Sequence, residues 1–104
     1  MLLSTTDQIK GREIVRHLGI AKGNTIRARH IGRDIMAILR HIIGGEITDY
    51  TKMMAESREQ AIDRMVEDAQ KLDANAIVRL SFTTSMIMGG ASEILAYGTA
   101  VVVE

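Results

Sequence analysis

The sequence contains no cysteine and no proline, and its 104 residues include no Trp, one Phe and two Tyr. Without Cys there is no disulfide, no thiolate nucleophile, no iron–sulfur ligation and no thiolate zinc site. That fits a reducing compartment, and the cytoplasm is the expected location. Without Pro, turns fall to the nine glycines and to Asn and Asp. With aromatics at 3%, the core must be built from Ile, Leu, Val, Ala and the seven Met. The formal net charge is zero, so no global field attracts nucleic acid or an anionic membrane, and neither is an expected partner. No run approaches the roughly 18 apolar residues of a spanning helix. The start, MLLSTTDQIKGREIV, lacks a charged segment leading into an apolar one, so no secretory signal is expected.

What is present is globular in character, with 46% hydrophobic and 25% charged residues. The length fits one domain, 1–104. A chain this small has a poor surface-to-volume ratio, and association is a common route to further stability.

Residues 1–31 read as extended pieces cut by Gly11, Gly19 and Gly23-Asn24. Gly-Asn is a tight-turn signal, which predicts a hairpin between residues 13–20 and 25–31. In residues 35–43 the period changes: Ile35, Ile38, Leu39, Ile42 and Ile43 share one helical face, and Gly44-Gly45 is the expected stop. A longer amphipathic helix is predicted over 48–72, with Tyr50, Met54, Ala61, Met65 and Leu72 on its apolar stripe and Met53, Ile62, Val66 and Ala69 beside them. Residues 77–88 alternate, Val78, Leu80, Phe82 and Met86 on one parity, Arg79, Ser81, Thr83 and Ser85 on the other, as in a half-buried strand. Gly89-Gly90 turns the chain. Residues 93–103 are apolar on both parities, so both faces of this last strand should be covered. The expected fold is α+β: a small antiparallel sheet packed by one short and one long helix. Helices on one face leave the other to be hidden by a second subunit, which predicts a homo-oligomer.

Short pieces along the whole chain carry a family resemblance. They are Thr5-Thr6, Ile9-Lys10-Gly11, Glu13-Ile14-Val15, Leu18-Gly19, the stretch from Ala28 through Arg29, His30, Ile31, Gly32, Arg33 and Asp34 to Ile35, and Ile43-Gly44-Gly45-Glu46. Tyr50-Thr51, Arg58-Glu59-Gln60-Ala61, Ala74-Asn75-Ala76 and the run from Ala96 to Val101 follow in order. In these the sequence resembles the YbjQ-like family of bacterial and archaeal proteins. The resemblance implies one YbjQ-like domain, an α+β subunit of a closed pentameric ring, and the family label of heavy-metal binding, so a heavy-metal ion is the cofactor to consider. Two departures stand out. Asp73 occupies a position where the family usually has Gly, and Asp tolerates the left-handed region there. Arg79 also stands where Gly is frequent, and Ser81 where Arg is frequent.

The candidate metal ligands are His17, His30, His41, Asp34, Glu46 and Asp49, with His30, His41 and Glu46 the set carried forward. Their spacing has no HxxxH or CxxC character, and a ring could bring one His per subunit to its axis. Arg27, Arg29 and Arg33 could form an anion cradle beside a helix start, where Gly32 lets backbone N–H groups approach a ligand. Asp34 opposes that reading, and the same residues could instead make intersubunit salt bridges. Catalysis is not expected: no serine lies in a GxSxG context, no glycine pair is followed by the Lys-Ser/Thr of a phosphate loop, and no acid–base pair is identifiable. The expected function is therefore that of a non-enzymatic homo-oligomeric binding protein, with a metal as ligand implied by the family resemblance alone. The alternative is an interaction ring that takes a small anion or a partner protein through Arg27, Arg29 and Arg33.

Overall fold

A computed structural model describes residues 1–27, 48–87 and 91–104. Strand β1 is Leu2–Leu3, β2 is Ile14–Arg27, helix α1 is Thr48–Lys71, β3 is Ala76–Ile87 and β4 is Ala91–Val103. The four strands form one sheet in the order β1-β3-β4-β2. The sheet is mixed rather than purely antiparallel. β1 runs parallel to β3, with Leu2 opposite Ala76, while β2 and β3 both pair antiparallel with β4.

The middle of the helix stripe is buried as the periodicity predicts, while Leu72 at its end is 37% exposed. Ala61, Met65 and Ala69 are fully buried against Ala21, Ile77, Ile94, Ala96 and Ala100 of the sheet. The C-terminus of α1 closes as a Schellman turn. Asp73 has φ 64, its N–H donates to the Gln70 carbonyl at 3.0 Å, and the Ala74 N–H reaches back to the Ala69 carbonyl at 3.1 Å. Asp thus takes the left-handed position that favours glycine.

Three expectations are corrected. Gly23-Asn24 makes no turn: β2 runs through it without a break and pairs with β4 from Ile14 to Arg27. The glycine serves packing, since a Cβ on Gly23 would collide with the Met65 nitrogen and the Ala61 oxygen of α1. The architecture of one short and one long helix also differs from what is seen, because α1 is the one helix among the described residues. The short-helix prediction at 35–43 and the Gly89-Gly90 turn lie outside those residues. Lastly, the alternation in β3 is broken. Its register to β4 shifts between Val78 and Ser81, and Arg79 sits in the bulge with φ 54. Val78 and Leu80 therefore lie on opposite faces, Val78 in the cluster with Val101 and Leu80 against the helix-side core. The bulge presses on β4, where a Cβ on Gly98 would stand 2.6 Å from Ile77 Cγ2.

The face away from α1 is only partly open. Its base holds a second cluster of Ala76, Val78, Val101 and Val103, covered by Ile9 and Ile14. So the first part of the chain itself supplies some of the cover that sequence reasoning gave wholly to a second subunit. Two clasps pin this end. Asn75 Nδ2 donates to the Val103 carbonyl at 2.9 Å while the Val103 N–H donates to Asn75 Oδ1 at 2.8 Å. Glu13 and Glu104 exchange backbone hydrogen bonds of 3.0 and 2.9 Å.

Candidate functional site

The two outer edges of the sheet are treated differently, and that difference defines the candidate interaction surface. β2 forms one edge. Because α1 approaches so closely at Gly23, its side chains reach over the strand. The outward Lys22 N–H donates to Asp68 Oδ2 at 3.0 Å, and Arg64 Nη1 donates to the Asn24 carbonyl. Thr25 Oγ1 also donates to the Ser57 carbonyl at 3.3 Å, so the strand is tied to the helix between Lys22 and Thr25. An edge whose backbone groups are already used, and which carries charge, resists the addition of a foreign strand.

β3 forms the other edge. Its first half is occupied: β1 pairs at Ala76 and Ile77, and the Arg79 and Leu80 N–H groups donate to the Thr6 and Ser4 carbonyls, each at 2.9 Å. From Ser81 onward the register to β4 is regular, and among the described residues no strand lies on the outer side. Residues 81–87, SFTTSMI, contain no charge and no glycine. Phe82 is 43% and Met86 84% exposed.

Between these edges lies the open face, where strand pairing places Ile20 beside Thr99, Lys22 beside Tyr97, and Ile26 beside Glu93. Ile20 is 72% and Ile26 57% exposed, and Tyr97 also reaches solvent. Asn24 Nδ2 donates to Glu93 Oε2 at 2.9 Å across the same face. The surface is mixed, with Lys22 and Glu93 set among the apolar side chains.

Arg29, His30, Arg33, Asp34, His41 and Glu46 lie outside the described residues. Arg27 ends β2, its backbone paired with Ser92. His17 is exposed on β2 opposite Val101, far in sequence from the other histidines. Asp49 lies in the first turn of α1. Among the described residues no three His, Asp or Glu side chains gather as a metal would require, so those residues do not fit a heavy-metal site. A shallow depression on the exposed side of α1 is lined by Lys52, Ala55, Glu56, Glu59, Gln60 and Asp63, a solvated face of mixed charge. No helix among the described residues is long and apolar enough to cross a membrane. Sequence reasoning missed the contrast between the edges. The signal available for it was the uncharged run 81–87, set against Lys22, Arg64 and Asp68.

The chain is similar to a known family, to curated relatives and to a solved structure. The family model YbjQ_1, described as "Putative heavy-metal-binding", matches residues 1–104. A UPF0145 protein of Methanosarcina acetivorans is 59% identical over 101 residues, which are 97% of this chain and 95% of that protein. A UPF0145 protein of Dehalococcoides mccartyi is 54% identical over 104 residues and the full length of both. A crystal structure of a protein of unknown function, of the DUF74 family from Pediococcus pentosaceus, superposes with a TM-score of 0.66. At 16% identity, covering 100% of this chain and 98% of that one, it shows the fold alone.

Proposed function

We infer function from one premise: the chain belongs to the YbjQ_1 family, whose description is "Putative heavy-metal-binding". Within that family we propose that it is a homo-oligomeric binding protein with no catalytic activity of its own, located in the cytoplasm. The observation that carries this reading is the open sheet face. Exposed Ile20, Ile26 and Tyr97 lie on one surface that the chain's own residues 4–13 cover only at its base. Apolar side chains exposed together on one face of a small domain favour association. The copy number of five follows from the family resemblance.

Metal is the ligand that the family description offers. Its ligands would come from His30, His41 and Glu46, brought together between subunits. Native mass spectrometry of protein purified without a tag, paired with elemental analysis, tests both statements. The reading expects an assembly of several copies with a fixed metal content per chain. A single-chain mass removes the oligomer; an assembly free of metal after incubation with zinc, copper and nickel ions removes the metal.

The alternative ligand is a small anion held by Arg27, Arg29 and Arg33, with Asp34 opposing. Arg27 is the last residue of β2. Calorimetric titration with phosphorylated metabolites checks it, and no heat at millimolar concentration rejects it.

A further inference from the structure

We propose that residues 7–12 are a strap that closes the base of the open sheet face and opens as a unit, with Ile9 as its latch and Gly11 as its hinge. Opening lengthens the surface available to a second copy. This last step rests on the oligomeric reading above and names what regulates that surface.

The covered base and the open face are one surface. At each register shift in the sheet the extra residue lies in β2 or β3, so β4 alternates without a break. Tyr97, Thr99, Val101 and Val103 therefore share a face. Tyr97 reaches solvent and Thr99 is half-buried, while Val101 and Val103 are buried with Ala76 and Val78. The cover over this lower end is Ile9 and Ile14. Ile14 is fixed in β2 by its pairing with Val103, whereas Ile9 belongs to no strand.

The strap is tied at its two ends and barely between them. At one end the Thr6 carbonyl accepts from the Arg79 N–H at 2.9 Å, and at the other Glu13 exchanges backbone hydrogen bonds with Glu104. From 7 to 12 the hydrogen bonds stay local. Ser4 Oγ and Thr6 Oγ1 donate to the Gln8 carbonyl at 3.5 and 2.6 Å, and the Arg12 N–H donates to the Ile9 carbonyl at 3.0 Å. None among the described residues joins this span to the sheet or to α1. Asp7, Gln8, Lys10, Gly11 and Arg12 are exposed, and Ile9 alone is half-buried. A segment held by one apolar side chain opens locally at lower cost than the sheet beneath it unfolds. Gly11 turns the strap back toward β2 with φ 81, where an L side chain is strained. A Cβ there would meet nothing within 4 Å, so a substitution strains the closed strap without a collision. A second copy seated on Ile20, Ile26 and Tyr97 gains part of the valine cluster when the strap is open. Opening and assembly then favour each other by the same factor.

Because the chain has no cysteine, thiol labelling of single-cysteine variants tests this directly. Ala100 and Val101 are neighbours on β4 and both fully buried, Ala100 in the cluster under α1 and Val101 in the cluster under the strap. Val101→Cys and Ala100→Cys are labelled under native conditions at high dilution, each with and without Gly11→Ala. The expected result is much faster labelling at 101 than at 100. Gly11→Ala should raise the rate at 101 about fivefold, for one L residue placed in the left-handed region, and leave the rate at 100 unchanged. Sedimentation velocity should show Gly11→Ala assembling at lower concentration than wild type. Equal rates at 100 and 101 mean that the strap opens only with the whole chain and overturn the proposal. So does a rate at 101 that Gly11→Ala does not move. Faster labelling at 101 with assembly unchanged or weakened overturns the strap's control of assembly. A wild-type chain that stays single at every concentration overturns the oligomeric reading and that control together, while the ratio of rates at 101 and 100 still decides whether the strap opens. If Gly11→Ala fails to fold, Ile9→Ala decides instead by removing the latch: the same directions are expected, and unchanged labelling at 101 overturns the proposal.

Discussion

Asp68 of α1 accepts the outward backbone N–H of Lys22 at 3.0 Å, so a helix side chain does at the edge of the sheet what a neighbouring strand would otherwise do. Arg64, one helical turn earlier, does the same for the Asn24 carbonyl. The double variant Asp68→Ala/Arg64→Ala is expected to lose about 1–2 kcal/mol of stability, from two charge-assisted hydrogen bonds at a partly exposed site. Urea denaturation measures that loss. The freed edge should also associate further with rising concentration, seen as turbidity or thioflavin binding that the wild type does not show.

Gly23→Ala tests why β2 passes straight through Gly23-Asn24. The added methyl has no room against the α1 backbone at Ala61 and Met65, so helix and strand must separate. The expected loss is roughly 3 kcal/mol, at the upper end for overpacking because the obstacle is backbone rather than a side chain. A thermal melt suffices, and an unchanged midpoint would mean that the close approach is wrong.

Met65→Ala removes a fully buried side chain from the same contact. A loss of about 2–5 kcal/mol is expected, from lost burial and the cavity left behind. Equilibrium denaturation against Met54→Ala, at a half-buried position, gives the comparison: the effect at 65 should be the larger.

Asp73→Gly and Arg79→Gly act in the opposite direction. Both residues have positive φ, 64 and 54, which costs an L side chain on the order of 1 kcal/mol. Glycine removes that cost but loosens the unfolded chain, so each variant is expected to gain a few tenths to about 1 kcal/mol, more at Arg79 than at Asp73. Asp already tolerates the left-handed region better than Arg. A drop in melting temperature on Arg79→Gly would indicate instead that the guanidinium itself contributes to the fold.

The parts of the fold that could be read from sequence are those specified by periodicity. Helix α1 was predicted at 48–72 and runs Thr48–Lys71, because Met54, Ala61, Met65 and Ala69 recur on one face. Strands β3 and β4 were found from their apolar patterns. What local pattern could not convey is tertiary cause. Gly23 looks like a turn residue, yet its glycine answers a helix some 40 positions along the chain. The bulge at Arg79 leaves the apolar spacing of Val78, Leu80 and Phe82 intact in sequence while moving Val78 to the other face. β1 is two residues long, too short for any alternation to show, and it makes the sheet mixed. Of the residues named for anion or metal binding, His17 and Arg27 fall within the described strands, both in β2.

The central claim is that this chain functions as an assembly of identical copies. Sedimentation velocity of untagged protein across a micromolar concentration series tests it most directly. The account predicts a single species at a fixed multiple of the 11.5 kDa chain mass, fivefold if the family resemblance carries over. A species of 11.5 kDa throughout the series would contradict it.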